Sequence, residues 1–169
     1  MSIEKTIPTH LKALLKKLHS SGMQVDVDKD SVTVSSPGQI KSVDLTTAVY
    51  PGFPTDLQAQ WIACMSIANG SSVVKDTVYH DRFSHVPELN RLGANIKIDH
   101  NAALVQGVKK LRGAPVMSTD IRASASLIIG GLVAEGETTV SRVYHIDRGY
   151  EHIVSKFQSL GADIKRIQS

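Results

Sequence analysis

The chain has 169 residues, of which 41% are hydrophobic and 21% charged, a composition typical of a soluble globular protein. No apolar run approaches the ~20 residues that a membrane-spanning helix needs, and the first residues, "MSIEKTIPTH", do not have the layout of a secretory signal. The net charge of +3 is spread along a chain with only 5% aromatic residues, so we expect a cytoplasmic protein with neither a nucleic-acid nor a membrane partner.

The first predicted element is a helix in "THLKALLKKLHSSG". Leu11, Leu14, Leu15 and Leu18 fall on one helical face, and Gly22 follows as a C-terminal stop. The next two segments, "MQVDV" and "SVTVSS", alternate apolar and polar residues on either side of "DKD". This pattern predicts a β-hairpin.

The helix and its glycine recur twice further along the chain. The segments "HVPELNRLGANIKIDHNAALVQG" and "YEHIVSKFQSLGADIKRI" both predict a helix, a Leu-Gly-Ala turn and a strand. In the last segment the predicted strand contains Ile164. The three glycines Gly22, Gly93 and Gly161 indicate a unit of about seventy residues.

Each of these two recurring segments is preceded by another stretch that also recurs and completes the unit. Apolar helices are predicted from Thr55-Asp56 and from Thr119-Asp120, and each is followed by a strand, "SSVVKDTV" or "TTVSRV", and a turn, "VYHDR" or "VYHIDR". The chain enters at half a unit, which makes it look like a piece of something longer. We therefore predict a single domain over 1–169 that is built from repeat pieces at about 1–42, 43–113 and 114–169.

The repeated Thr-Asp pairs have an ordinary structural interpretation. Threonine and aspartate cap helices because their side-chain oxygens accept the unpaired N–H groups of the first turn. Capping alone could therefore explain Thr55, Asp56, Thr119 and Asp120.

Three arginines favour a functional interpretation. Arg82 and Arg148 precede predicted helices and Arg122 lies in the first turn of another, where a cation opposes the helix dipole. Cations at positive helix ends suggest an anion that both attract. We therefore expect the repeated helices to point their first turns at one shared surface. There, two ionised aspartates and three guanidinium groups would meet a phosphorylated ligand, and an aspartate could remove a proton from an alcohol.

Several linked strings carry a specific resemblance over essentially the whole chain: "YPGFPTDLQAQ", "RFSHVPEL", "GAPVMSTDIRASASLIIGGLVAEGETTVSRVYHIDRGYE" and "LGADIKRI". They resemble the C-terminal domain of the bacterial UDP-N-acetylglucosamine enolpyruvyl transferases. The resemblance implies an α/β (α+β) fold, an inverse α/β-barrel-like domain of repeated βαβαββ units around a helical core, with about two and a half units in this chain.

The resemblance also implies a reaction. Enolpyruvyl transferases of this kind move the enolpyruvyl group of phosphoenolpyruvate onto the 3′-hydroxyl of UDP-N-acetylglucosamine and release phosphate. This is the first committed step of peptidoglycan synthesis, and it links the chain to cell-wall biogenesis, cell shape and cell division. No cofactor is implied.

The resemblance assigns roles to four charged residues. Asp56 matches the aspartate proposed as the general base that acts on the sugar hydroxyl. Asp120 matches a second active-site aspartate, implicated in proton transfers. Arg122 and Arg148 match arginines of the phosphoenolpyruvate site, where Arg148 would bind the carboxylate or the phosphate as part of the catalytic set.

Three further matches concern substrate binding. Val78 and Tyr79 match a backbone segment beside the nucleotide sugar, and Arg82 matches an arginine near the cleft. Related proteins often have Phe-Glu-Asn-Arg where this chain has Tyr79-His80-Asp81-Arg82. This departure leaves the aspartates untouched and bears on the nucleotide contacts.

Parts of the implied active site are not in this sequence. The loop with the reactive cysteine, the lysine that grips phosphoenolpyruvate and the diphosphate-binding loop all belong to the first domain of the resembled enzymes. Cys64 does not replace that cysteine, because its mid-helix apolar neighbours predict a small buried thiol. His80 and His145 have no second ligand at i+4, so no metal site is expected.

The isolated chain is therefore expected to be inactive and to need the first domain as a partner. The alternative is a non-catalytic module that binds nucleotide sugars or a partner protein. Because half a unit leaves apolar surface uncovered, we also expect that two copies of the chain could pair through this repeat face.

Overall fold

A computed structural model of the chain describes residues 1–36 and 38–167. Its strands are β1 (Ser2–Glu4), β2 (Gln24–Val27), β3 (Ser31–Ser35), β4 (Leu45–Thr46), β5 (Ser71–Lys75), β6 (Asn95–Asp99), β7 (Ala102–Gln106), β8 (Leu111–Arg112), β9 (Pro115–Met117), β10 (Ala134–Glu135) and β11 (Thr139–Ser141). Its α-helices are α1 (Lys12–Ser20), α2 (Gln58–Met65), α3 (Val86–Arg91), α4 (Ile121–Leu132), α5 (Tyr144–Asp147) and α6 (Ile153–Ser159). Short 3₁₀ helices at Pro8–Leu11 and Thr55–Leu57 lead into α1 and α2.

The strands form two larger sheets and two short parallel pairs. The first sheet has the order β1-β3-β2 and is antiparallel throughout. The second has the order β4-β5-β7-β6, in which β4 and β5 are parallel and the other pairs antiparallel. The pairs are β8 with β10 and β9 with β11. The chain is thus a mixture of helices and sheets, as the predicted α/β class requires.

Most of the predicted elements are present at the predicted positions. The first helix and the β2–β3 hairpin are confirmed, as are the helix and two strands of the segment that contains α3, β6 and β7. Between β4 and β7 the elements run strand, helix, strand, helix, strand, strand.

The strand predicted after α6 is wrong. Residues 162–167 form no strand, and the Ile164 carbonyl accepts a hydrogen bond from the side-chain amide of Gln158 at 2.7 Å. A strand is stable when its backbone groups pair with a neighbouring ladder, and here a side chain satisfies the carbonyl instead. The last two residues of the piece 114–169 lie outside the described residues.

Helices α2 and α4 pack against each other at the centre of the molecule. Four consecutive residues of α4, Ala123, Ser124, Ala125 and Ser126, are small and all buried. Small side chains let two helix backbones approach closely. The buried hydroxyls of Ser124 and Ser126 remain satisfied because each donates to a backbone carbonyl in its own helix.

Two apolar clusters surround this helix pair. The larger one lies between the four-stranded sheet and helices α2, α3 and α4, and includes Trp61, Ile62, Leu89 and Leu127. The smaller one joins α4 to α5 and α6. In the described part of the chain, no helix has the length and apolar character needed to cross a membrane.

Candidate active site

The first turns of α2 and α4 lie side by side on one surface. Asp56, in the 3₁₀ turn before α2, accepts a hydrogen bond from Nη1 of Arg122 in the first turn of α4, at 3.3 Å. Asp120 is the N-cap of the same helix. The predicted convergence of the two helix starts is therefore present, and it brings two aspartates to one place.

Asp120 caps α4 and is held by its neighbours. Its Oδ1 accepts hydrogen bonds from the backbone N–H of Arg122 at 2.7 Å and of Ala123 at 3.1 Å, and from Nε of Arg122 at 3.2 Å. Partial burial raises the pKa of Asp120, but the two backbone hydrogen bonds and the Arg122 guanidinium outweigh it and lower the pKa below its usual value. Asp120 is therefore ionised at neutral pH.

Asp56 is not a helix cap. No side chain caps the 3₁₀ turn or α2, and the Asp56 side chain is 73% exposed. Its Oδ1 accepts from Nη1 of Arg82 at 3.0 Å as well as from Arg122. Its Oδ2 has no hydrogen-bond partner within residues 1–36 and 38–167. One oxygen is thus fixed by two cations, and the exposure of the side chain leaves the other open to solvent.

Arg82 is held on three sides. Its Nη1 donates to Thr55 Oγ1 at 3.1 Å and to Asp56, and its Cζ lies 3.8 Å from the centre of the Tyr79 ring. A guanidinium over an aromatic face is attracted by the ring quadrupole. Because only 17% of the Arg82 side chain is exposed, its direction is fixed before any ligand binds.

Tyr79 and Val78 are positioned by the turn that follows β5. Their backbone N–H groups donate to the Asp76 carboxylate at 2.8 and 2.9 Å. These two N–H groups therefore point inward, and the Tyr79 ring is the part of the segment that reaches the surface.

A cavity of about 310 Å³ lies next to these residues. It is lined by Tyr79, His80, Asp81, Arg82, Ser84, Asp120 and Arg122. Ser84 closes one side by a hydrogen bond between its hydroxyl and that of Thr119 at 3.0 Å. The cavity has both cations and an ionised aspartate on its wall, so it can bind a ligand with anionic and hydroxyl groups.

Arg148 does not join this cluster. Its side chain is exposed at the end of α5, and no ion pair in the described part of the chain includes it. Its backbone is nevertheless close to α4, because a Cβ at Gly149 would lie 2.4 Å from Ile121 Cδ1. Of the three guanidinium groups that we expected at this surface, those of Arg82 and Arg122 lie together. Arg148 belongs to a segment that contacts the first residue of α4.

Two buried residues beside the site were not singled out from the sequence. His85 is 2% exposed, and burial, the largest effect, lowers its pKa to about 4 despite the opposing influence of Asp120. Asp76 is fully buried and accepts four hydrogen bonds. The only local signal for Asp76 is an acidic residue directly after a strand whose residues alternate between buried and exposed.

A comparison with protein families finds a match over most of the chain. A family model described as EPSP synthase (3-phosphoshikimate 1-carboxyvinyltransferase) matches residues 1–157. The chain belongs to the EPSP synthase family.

The curated relatives of this chain are named after a different substrate from the one in the family description. A Chlorobium chlorochromatii protein is 57% identical over 159 residues and a Bdellovibrio bacteriovorus protein is 53% identical over 169 residues. Both are named UDP-N-acetylglucosamine 1-carboxyvinyltransferase. The resemblance to UDP-N-acetylglucosamine enolpyruvyl transferases is thereby confirmed. These matches cover 94% and 99% of the chain but only 38% and 41% of the two relatives, so the chain spans about two fifths of their length.

Solved structures agree with this membership. The enolpyruvyl transferase NikO from Streptomyces tendae has a TM-score of 0.85 at 30% identity, over 94% of this chain and 37% of that one. EPSP synthase from Acinetobacter baumannii has a TM-score of 0.59 at 16% identity over 76% of this chain and 31% of that one, which shows a shared fold only.

Replacement of Asp120 by asparagine tests how much the charge of this helix cap stabilises the fold. Asparagine caps helices as well as aspartate, so the variant loses the charge and keeps the cap. At pH 7 we expect the free energy of unfolding to fall by about 1.5 kcal/mol, the usual value for hydrogen bonds to a charged group. The pKa of Asp120 is lower in the folded protein than in the unfolded chain. The stabilisation by the Asp120 charge is therefore present above the unfolded pKa of about 3.9 and is lost as the pH falls through the folded-state pKa.

Urea denaturation of both proteins between pH 7 and pH 2.5 measures this difference. The gap between wild type and Asp120→Asn should close at the acid end. A gap that stays constant at every pH would mean that the Asp120 charge does not stabilise the fold.

Proposed function

We propose that this chain forms one side of the active site of a UDP-N-acetylglucosamine 1-carboxyvinyltransferase. The reaction moves the enolpyruvyl group of phosphoenolpyruvate onto the 3′-hydroxyl of UDP-N-acetylglucosamine and releases phosphate. The observation that carries the proposal is the Asp56 carboxylate, which is fixed between Arg82 and Arg122 by one oxygen and open to solvent by the other. The names of the curated relatives support the two substrates.

Asp56 acts as the general base in this proposal. It removes the proton of the sugar hydroxyl while the hydroxyl oxygen bonds to C2 of phosphoenolpyruvate, and C3 takes up a proton that solvent supplies. The resulting tetrahedral intermediate then loses phosphate from C2 and the proton from C3, which regenerates the double bond. Asp120, 3.2 Å from Arg122 Nε, is the second carboxylate available to these proton transfers.

The arginines and the helix starts provide the anion site. Arg82 and Arg122 stand at the first turns of α2 and α4, where helix N–H groups favour negative charge. Fixed cations stabilise charge on the carboxylate and the phosphate without reorganising during the reaction. Arg148 joins the site by a rearrangement of the exposed segment that already touches Ile121.

Cys64 has no part in this chemistry. It lies in α2, and burial raises the pKa of its thiol to about 11, so it is protonated at neutral pH. The reactive cysteine loop, the lysine and the diphosphate loop belong to a first domain, and the chain alone is inactive. The same proposal includes three repeat pieces at 1–42, 43–113 and 114–169, a cytoplasmic location, and a role in peptidoglycan synthesis and cell-wall biogenesis.

Titration of the ¹⁵N-labelled chain with phosphoenolpyruvate and UDP-N-acetylglucosamine tests binding. We expect shifts confined to the first turns of α2 and α4 and to residues 76–85. Arg122→Gln should weaken phosphoenolpyruvate binding about tenfold, the usual effect of losing one charged hydrogen bond. Arg112→Gln is the matched control, because it removes the same charge from an exposed position of β8.

Equal weakening by the two variants would indicate general charge attraction and contradict the proposed site. Turnover is tested in a chimaera in which residues 1–169 replace the matching segment of the Bdellovibrio bacteriovorus relative, with phosphate release as the readout. Specific binding without turnover in that chimaera would favour the alternative, a non-catalytic nucleotide-sugar module.

A further inference from the structure

Asp76 is a buried carboxylate that does not line the candidate site. It follows β5 directly, is 0% exposed, and accepts hydrogen bonds from Thr47 Oγ1 at 2.8 Å and Thr55 Oγ1 at 2.6 Å. The N–H groups of Val78 and Tyr79 donate to it at 2.9 and 2.8 Å. Four donors therefore compensate for taking this charge out of water.

The same contacts keep Asp76 ionised in the folded protein. Burial raises its pKa, but the hydrogen bond from Thr55, then those from Tyr79, Thr47 and Val78, outweigh burial and lower the pKa. An ionised carboxylate can only accept hydrogen bonds. The hydroxyl protons of Thr47 and Thr55 are therefore committed to Asp76.

This commitment determines what Thr55 offers to its other neighbour. Because the Thr55 hydroxyl proton points at Asp76, the side of the oxygen that faces Arg82 carries a lone pair, which accepts from Nη1 at 3.1 Å. The same Nη1 donates to Asp56 at 3.0 Å. One route therefore runs from Asp76 through Thr55 to the guanidinium that fixes the proposed general base.

A second route runs through the backbone. The two N–H groups that donate to Asp76 hold residues 76–79 in a tight turn. That turn places the centre of the Tyr79 ring 3.8 Å from Cζ of Arg82. Both routes end on Arg82. Its side chain is thus held from below by Tyr79 and from one edge by Thr55, and both residues are fixed by Asp76.

We propose that Asp76 is a positioning residue that fixes the Arg82 guanidinium against Asp56 through the Thr55 hydroxyl and the Tyr79 ring. The role rests on the proposed function, since it concerns the orientation of the base and of one cation in that reaction. Asp76 touches no substrate in this role and acts only through its neighbours.

Asp76→Asn separates the charge from the shape. The amide is isosteric, but its NH₂ group is a donor, so on the Thr55 side it reverses the hydrogen bond. The Thr55 hydroxyl proton then leaves Asp76 and competes with Arg82 Nη1 for the remaining positions around the Thr55 oxygen. In the ¹⁵N spectrum of the arginine side chains, we expect the Arg82 Nη signals to change from slowly to rapidly rotating. Phosphoenolpyruvate affinity should fall about tenfold, as for the loss of a charged hydrogen bond.

Thr47→Val is the matched control. It removes two hydrogen bonds of a fully buried threonine, the one donated to Asp76 and the one accepted from the Thr77 N–H, but leaves the Asp76–Thr55–Arg82 route intact. It should lower stability and leave the Arg82 signals unchanged. If Thr47→Val changes those signals as much as Asp76→Asn, the effect is general loosening and the proposal is wrong.

A second pair of variants covers the case in which Asp76→Asn does not fold. Thr55→Val should release Arg82 and Thr55→Ser should restore it, because serine keeps the hydroxyl. Unchanged Arg82 signals in Thr55→Val would overturn the inference while leaving wild-type ligand binding, and so the proposed function, intact. Absence of ligand-induced shifts in the wild type would instead reject the proposed function, whatever the Arg82 signals show.

Discussion

Asp56→Asn is expected to lower phosphate release by the chimaera about 10²- to 10⁴-fold, the range that a positioned general base contributes. The amide still accepts hydrogen bonds from Arg82 and Arg122, so the site keeps its shape. What it loses is the ability to take a proton at neutral pH. The loss should fall on kcat, because a group that acts only in the transition state changes kcat more than KM.

Asp99→Asn is the matched control for this measurement. Asp99 is an exposed carboxylate at the end of β6, and its replacement makes the same change in charge. Its kcat and KM should equal those of the wild type. If Asp56→Asn retained more than half of the wild-type kcat, Asp56 would not be the base, and Asp120 and Asp81, which both line the cavity, would become the carboxylate candidates.

The two Thr-Asp pairs explain what the sequence could and could not predict about the site. That both pairs lie at the starts of apolar helices follows from local pattern. That Asp56 and Asp120 share a surface was predicted only with the arginines at the same helix starts. Their different roles depend on the preceding residue. Pro54 is the N-cap before the 3₁₀ turn, with φ −70° and ψ 136°, so Asp56 falls inside the first turn. Asp120 has φ −159° and ψ 178° and is itself the cap.

Arg148 and Asp76 could not be placed by local pattern. The direction of the Arg148 side chain depends on the turn that carries it, in which Arg142 and His152 both have positive φ. The importance of Asp76 comes from hydrogen bonds to threonines 29 and 21 residues earlier in the chain. Periodicity and capping rules describe neighbours within a few residues. They therefore could not predict the direction of the Arg148 side chain or the hydrogen bonds of Asp76.

The strand predicted around Ile164 was wrong for a related reason. The helix and Leu-Gly-Ala turn before it are local, and α6 is present as predicted. A strand also needs a partner, and the Ile164 carbonyl is bonded by Gln158 from within the same segment. Ile164 still packs against the smaller cluster beside Ile153. Its place after the Leu-Gly-Ala turn was interpreted incorrectly as part of a strand.

Leu127→Ala is expected to lower the free energy of unfolding by about 3 kcal/mol, because deleting a fully buried leucine leaves a cavity that the surroundings fill only partly. Leu127 is 0% exposed and belongs to the larger cluster. Leu132→Ala, at the 37% exposed end of the same helix, is the matched control and should cost less than about 1 kcal/mol. Both variants change helix propensity equally, so their difference isolates packing.

The same pair of variants tests whether the core holds the site together. Arg122 and Asp56 meet where α4 packs against α2, and Leu127 belongs to the apolar cluster to which both helices contribute. In folded Leu127→Ala, phosphoenolpyruvate binding should therefore weaken, whereas Leu132→Ala should bind as the wild type does. Urea denaturation gives the stabilities and the ¹⁵N titration gives the affinities. Equal stabilities of the two variants would mean that the α2–α4 contact does not depend on Leu127, and the two helix starts would have to be held in register by their ion pair instead.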